Sequence, residues 1–172
     1  MAGYLLSCNP AMHITSTPVT TKSGSTILLG KIAPSALQQQ PFSEWYNKEF
    51  AAYRADTQIT DSLKPLAGDL QYEIFLGTWC GDSRREVPRL MKIMESLKIK
   101  PSAITMIAVG NRDTLYKQSP AHEEAGKRIT RVPHLNIYRN GIEIGRITET
   151  PVSSWEKDML TIMQGKPYKP KW

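Results

Sequence analysis

The sequence is poor in cysteine, with only Cys8 and Cys80 among its 172 residues. Two cysteines are too few for the disulfide framework of a small secreted scaffold, and too few for a structural zinc site without nearby histidines. The histidines His13, His122 and His134 lack the spacing of metal ligands. We therefore expect no bound metal and no cofactor, and each cysteine has to be interpreted from its own surroundings.

Long apolar runs are also missing. No stretch of about 18 apolar residues exists that would cross a bilayer as a helix, and 40% hydrophobic with 22% charged residues is typical of one globular domain. The net charge of +6 comes from scattered lysines and arginines. A scattered pattern favours a solvated surface, so we expect a monomer that binds no nucleic acid.

The first 25 residues are rich in Ser, Thr and Pro without a hydrophobic period, which predicts a disordered leader over 1–25. Within it, Leu5-Leu6-Ser7-Cys8 resembles the lipobox of bacterial lipoproteins, which implies acylation of Cys8 and a membrane tether. Against this, the apolar stretch before Cys8 is shorter than that of a secretion signal and no basic residues precede it. Two locations stay open: a lipoprotein anchored on the periplasmic side, or the cytoplasm.

From residue 26 onward, the hydrophobic patterns predict alternating strands and helices. The predicted strands cover 26–32, 72–76, 103–109, 135–138 and 142–147, and the predicted helices cover 41–53, 60–66, 81–97, 122–127 and 155–163. Asn140-Gly141 indicates a type I′ hairpin turn, and Ser154 is a suitable cap for the last helix. We expect one domain over 26–165, with an N-terminal extension at 26–70, a core at 71–165, and a basic tail at 166–172.

Cys80 stands where a predicted strand meets a predicted helix. Its motif reads Trp79-Cys80-Gly81-Asp82-Ser83. The free N–H groups and the positive dipole end of a helix start favour a thiolate, the nucleophilic form of cysteine. Arg84 and Arg85 would add positive charge, and the Ser83 hydroxyl would donate a hydrogen bond to the sulfur. The sequence therefore predicts a reactive thiol at Cys80.

Three features in order resemble the thioredoxin family. Trp79-Cys80-Gly81 follows an apolar strand, as the active-site motif of that family does. Pro88, eight residues after Cys80, matches the proline that bends the active-site helix. Val132-Pro133 matches the loop whose cis-proline faces the active-site cysteine. The resemblance covers about 72–163, and the motif is most similar to thioredoxin-family proteins of Bacteroidetes-type bacteria.

The resemblance implies an α/β fold, a thioredoxin-like three-layer α/β/α sandwich with a mixed central sheet. It also implies a substrate groove lined by Trp79, Val132, Pro133 and His134. His134 stands where small or hydroxylated residues are common, so that its side chain either alters the fit of substrates or points to water.

Two departures from the family pattern bear on the chemistry. Ser83 stands where dithiol members carry the second cysteine, and Ile74 lies where the best-known thioredoxins bury an aspartate. A self-contained dithiol cycle is therefore not available to Cys80. We expect Cys80 to attack protein or low-molecular-weight disulfides and to be released by an external thiol reductant, which favours isomerase or mixed-disulfide exchange over dithiol reduction.

Two other interpretations stay open. In the first, the domain is a non-catalytic binding module that docks peptides or a partner protein in the same groove, and the missing second cysteine favours it. In the second, the protein is a peroxidase, which needs a threonine ahead of the cysteine in a proline-rich loop. Thr78 is present but lacks the proline-rich surroundings.

Overall fold

The computed structural model describes residues 16–172, which form a mixed six-stranded sheet and four α-helices. The strands are β1 (Thr17–Thr20), β2 (Thr26–Ile32), β3 (Leu70–Leu76), β4 (Ile104–Ala108), β5 (His134–Arg139) and β6 (Ile142–Thr148). The helices are α1 (Ser43–Ala52), α2 (Thr57–Ala67), α3 (Gly81–Ser96) and α4 (Trp155–Met163), with short 3₁₀ turns at Pro34–Gln38 and Pro101–Ala103. No helix within 16–172 is long and apolar enough to cross a membrane.

The strands lie in the order β1-β2-β4-β3-β5-β6. Only β3 and β4 run parallel, since α3 connects them by a crossover, and the other neighbours are antiparallel. Ile74 in the middle of β3 pairs with Met106 on one side and Leu135 on the other. The predicted α/β sandwich with a mixed central sheet is confirmed.

All four helices contribute to the core on one face of the sheet. Alternate residues of β3, such as Tyr72 and Ile74, belong to the same buried cluster as Leu63 of α2, Leu90 of α3 and Met159 of α4. Ile74 is fully buried in this apolar cluster. The position that we compared with a buried aspartate therefore contributes packing and no titratable group.

The other face of the sheet is covered by an irregular segment, 109–131, where the predicted three-layer α/β/α arrangement has a second layer of helix. Ile129 of this segment packs on a second cluster that contains Phe75, Ile107 and Val132. The helix predicted at 122–127 is not formed, and the chain makes a series of turns there. His122 has a φ of 53°, in the left-handed region, which interrupts a right-handed helix.

The ordered chain extends beyond the predicted domain at both ends. Thr17–Thr20 falls in the predicted leader, yet it forms β1 by pairing with β2. At the other end, the Tyr168 hydroxyl donates to buried Asp158 (2.8 Å), and the Arg131 guanidinium lies over the Trp172 ring. The first segment is held by a hairpin with the adjacent strand β2, and the last segment by contacts with α4 and with Arg131. Cys8 and the rest of the predicted lipobox lie outside the described residues.

A buried carboxylate connects α3 to α4. Glu86 of α3 is 5% exposed, and its Oε2 accepts a hydrogen bond from Trp155 Nε1 at 2.8 Å. The other oxygen, Oε1, accepts from Arg85 Nε at 2.6 Å. A buried carboxylate needs such donors because removing a charge from water is costly. This contact fixes α4 against the helix that follows Cys80.

We expect Trp155→Phe to lower the free energy of unfolding by about 1–3 kcal/mol, since Glu86 would lose its indole donor inside the core. Chemical denaturation monitored by circular dichroism measures the change. Lys157→Ala, on the exposed side of the same helix, is the control and should stay within about 0.5 kcal/mol of the parent chain. Equal stability of Trp155→Phe and the parent chain would contradict the proposed role of this hydrogen bond.

Candidate active site

Cys80 is the N-cap of α3, directly after the short turn that ends β3. Its backbone is extended (φ −88°, ψ 126°), its N–H donates to Gly77 O at 2.9 Å, and its carbonyl accepts from Arg84 N at 3.0 Å. The backbone is therefore held on both sides of the residue. The sulfur lies at the end of the helix where N–H groups without helical partners are found.

The Cys80 sulfur faces the loop before β5. The distance from Sγ to the carbonyl oxygen of Val132 is 3.4 Å, and the peptide bond Val132–Pro133 is cis, as the resemblance implied. Cys80 is partly exposed, whereas Val132 and Pro133 are buried. Within 16–172 it is the only cysteine, and it is not in a disulfide. Cys80 is thus anchored through its sulfur and partly exposed as a residue.

Trp79 is fixed beside the thiol by two contacts. Its indole Nε1 donates to Val109 O at 2.9 Å, and its ring packs so closely on Gly77 that an added Cβ there would lie 2.7 Å from the ring. On its other side the ring approaches Tyr116, with 6.0 Å between centroids. Trp79 remains only partly buried, so part of the ring is available as a wall of the site.

Thr78 is a buried structural residue that the sequence interpretation did not identify as one. Its hydroxyl accepts a hydrogen bond from the Leu28 N–H at 3.0 Å, and its carbonyl accepts from Arg84 Nε at 2.7 Å. These bonds join the turn before Cys80 to β2 and to the first turn of α3. No local signal reveals the first contact, because Leu28 lies 50 positions away in the chain.

The side chains that were predicted to stabilise the Cys80 thiolate form hydrogen bonds with other groups. The Ser83 hydroxyl is buried and accepts from the Gly77 N–H at 3.1 Å, rather than donating to Cys80. Arg85 donates to Asp82 at 2.8 Å and to Glu86 at 2.6 Å, and Arg84 donates to the Thr78 carbonyl. Backbone and carboxylate groups next to these side chains provide their hydrogen bonds. Among the described residues, the thiol contacts the Val132 carbonyl instead.

His134 differs most from its predicted place. It is only 1% exposed, with Nε2 at 2.8 Å from Asn136 Oδ1 and Nδ1 at 3.3 Å from the Thr148 hydroxyl. Burial lowers the pKa of His134 to about 4, against the opposing hydrogen bond to Asn136. The ring therefore points neither to water nor towards Cys80. It lines a separate open cavity of about 520 Å³ between β6 and the C-terminal segment.

A polar network on the same face of the sheet was not predicted. Glu73 Oε2 accepts from the Tyr138 hydroxyl at 3.0 Å and from Asn136 Nδ2 at 3.3 Å, and Lys127 pairs with Oε1. These bonds hold the irregular segment against the sheet. Within residues 16–172, no group of three or more His, Cys, Asp or Glu side chains is placed to hold a metal ion.

Comparison with known proteins does not assign this chain to a family. No family model matches the chain, and no curated protein matches its sequence.

We expect stability to fall as pH is lowered from about 6.5 to about 4, because His134 stays neutral in the folded chain while it gains a proton in the unfolded chain. The full effect is about 3 kcal/mol. Urea titrations at a series of pH values measure it. His134→Gln is less stable at neutral pH but should lack this part of the pH dependence. Parallel loss of stability in the two chains would contradict the assignment.

Proposed function

We propose that this chain is a thiol–disulfide exchange protein in which Cys80 is the attacking nucleophile. The observation that carries the proposal is the position of Cys80, a partly exposed residue at the start of α3 whose sulfur lies 3.4 Å from the carbonyl before cis-Pro133. An accessible thiol at a helix N-terminus is the environment in which cysteines act as nucleophiles. The N–H groups of the first turn stabilise the negative charge of a thiolate.

The reaction is a displacement at sulfur. The Cys80 thiolate attacks one sulfur of a disulfide R–S–S–R′, a bond forms between Cys80 and R–S, and R′ leaves as a thiolate. When Cys80 gives up its proton it no longer donates to the Val132 carbonyl. That carbonyl then becomes available to an N–H of an extended substrate chain, which would lie between Trp79 and the loop at 132–133.

The mixed disulfide requires an external thiol for its release. Ser83 has no thiol and its hydroxyl is engaged with Gly77, and buried Ile74 offers no proton acceptor. A second cysteine on the substrate, or a small thiol, then attacks the substrate sulfur of the mixed disulfide. Cys80 leaves as a thiolate and the Cys80 thiol is restored. This cycle suits isomerisation of protein disulfides, or removal of small thiols from mixed disulfides, with protein or low-molecular-weight disulfides as substrates.

A second candidate function is a binding module without turnover. The hydrogen bond from the Cys80 thiol to Val132 O favours it, since it gives the cysteine a structural role in the protonated form. In that case the surface beside Trp79 would hold a peptide and no bond to sulfur would form.

Cys80→Ser separates the two functions. We expect this variant to lose all exchange with a disulfide peptide, since a hydroxyl does not attack a disulfide, whereas a binding module would keep its partner. Mass spectrometry of the mixed disulfide and calorimetric binding of the same peptide measure the two properties. The experiment uses a Cys8→Ser background, so that the only thiol tested is Cys80. A background chain that forms no mixed disulfide, while both chains bind equally, would overturn the catalytic proposal.

Ser83→Cys tests whether Cys80 needs an external thiol because position 83 lacks a thiol. Position 83 lies in the first turn of α3, after Cys80 at the N-cap. We expect the variant to release substrate from the mixed disulfide without added thiol, because the introduced thiol can form an internal disulfide with Cys80. Single-turnover release followed by mass spectrometry detects it, with Ser83→Ala as the control that has no thiol. Release by both variants at the same rate would contradict this role.

A further inference from the structure

A hydrogen-bonded loop presents an aromatic and basic surface next to Cys80. Gly110 N donates to Gln118 O at 2.9 Å, and Lys117 N donates to Gly110 O at 2.8 Å, which closes the loop at its base. A side chain at Gly110 would collide with the loop, because an added Cβ would lie 2.5 Å from Leu115 O. The loop over 110–118 therefore has a defined shape.

The tip of this loop is apolar and exposed. Leu115 is 40% exposed and Tyr116 is 43% exposed. The Tyr116 ring lies beside the Trp79 ring, next to Cys80 in the chain. Lys117 donates through Nζ to Thr130 O, which joins the loop to the segment that leads into Val132. The two aromatic rings thus extend the surface around the thiol on the side of the 110–118 loop.

This surface has an excess of positive charge. The Arg112 guanidinium and the Lys117 ammonium lie 5.7 Å and 5.0 Å from the Tyr116 ring centroid. Hydrogen bonding and charge from Lys117 lower the pKa of Tyr116, as expected in a positive field. Exposed Arg84 is a third cation on the helix side of Cys80, bound only to a backbone carbonyl among the described residues.

Most of the neighbouring carboxylates are neutralised by ion pairs. Asp82 pairs with Arg85 at 2.8 Å, and Glu149 pairs with Arg131 at 3.0 Å. Asp113 in the loop is the exception. It is exposed and lies between Arg112 and Lys117 in the sequence. The aromatic surface beside Cys80 therefore carries Arg112 and Lys117 at the Tyr116 ring, with Arg84 on the adjoining helix, against the single carboxylate of Asp113 in the loop.

We infer that the disulfide substrates of Cys80 are polypeptide chains that carry carboxylates next to the reacting cysteine. This inference rests on the function proposed above and specifies its substrate class. The carboxylates meet Arg112 and Lys117, and an apolar residue of the substrate packs on Tyr116 and Trp79. Charge complementarity of this kind increases the rate of encounter and selects among partners.

The test uses three peptides with the same cysteine, activated as 2-pyridyl disulfides and flanked by glutamates, glutamines or lysines. Cys80 attacks the peptide sulfur, the peptide becomes disulfide-bonded to Cys80, and the proton of the thiol leaves with 2-thiopyridone, which absorbs light. The full chain carries Cys8→Ser, so that the signal reports Cys80 alone. We expect the glutamate peptide to react about tenfold faster than the lysine peptide at low salt, with the difference decreasing in high salt.

Charge reversal identifies the surface. Arg112→Glu together with Lys117→Glu should remove the preference for the glutamate peptide over the lysine peptide. Arg112→Glu alone should remove about half of the preference on a logarithmic scale; it avoids the backbone contact of Lys117, so the test survives a folding defect in the double variant. The matched control is Lys98→Glu with Lys100→Glu, exposed positions beyond the opposite end of α3 from Cys80.

The outcomes separate the two proposals. Equal rapid reaction of the three peptides, or a preference that Arg112→Glu leaves undiminished in a folded chain, overturns the acidic substrate class and leaves the exchange function standing. Reaction of all three peptides no faster than with free cysteine overturns the exchange function itself. A preference that the control pair also removes would show a general charge effect and overturn the assignment to this loop.

Discussion

The register of β3 against β5 is the constraint on which the site depends. Phe75 pairs with His134 at the end of the ladder, which brings the chain before β5 level with the turn that follows β3. Cys80 and Val132 belong to segments 52 positions apart, and this pairing alone brings them together. A slip of one residue would turn every β3 side chain to the opposite face, so burial of Ile74 in the helix-covered core also fixes the place of the thiol.

Local sequence signals predicted the turn and the helix cap that depend on neighbouring residues. Asn140 and Gly141 both have positive φ, as a type I′ turn requires, and Ser154 accepts from the Lys157 N–H as the cap of α4. The strand β1 was not predicted because 17–20 is short and has no apolar alternation, although its partner β2 is adjacent in the chain. The C-terminal segment was not predicted because its order comes from side-chain contacts with α4 and Arg131. The helix expected near His122 failed for a related reason, since its apolar spacing was weak and the covering segment is held by bonds to the sheet.

The same division applies to the candidate site. The placement of Cys80 at a helix start could be predicted, because it follows from the order of the elements. The cis bond before Pro133 was expected only from the resemblance to the thioredoxin family. The hydrogen-bond partners of Ser83, Arg84 and His134 could not be predicted. They depend on competition among nearby acceptors and on the strand face that a residue occupies. For His134, one step along the chain from Pro133 is enough to turn the side chain into the second face of the sheet.

The irregular segment on that second face contributes differently to the core and to the surface beside Cys80. The helix-covered core contains no residue of the segment 110–131, whereas this segment contributes Ile129 to the cluster beneath Cys80 and Tyr116 to the surface beside Trp79. Connecting segments accept sequence change more readily than packed elements do. The loop around Tyr116 can therefore accept substitutions that leave the architecture beneath it unchanged.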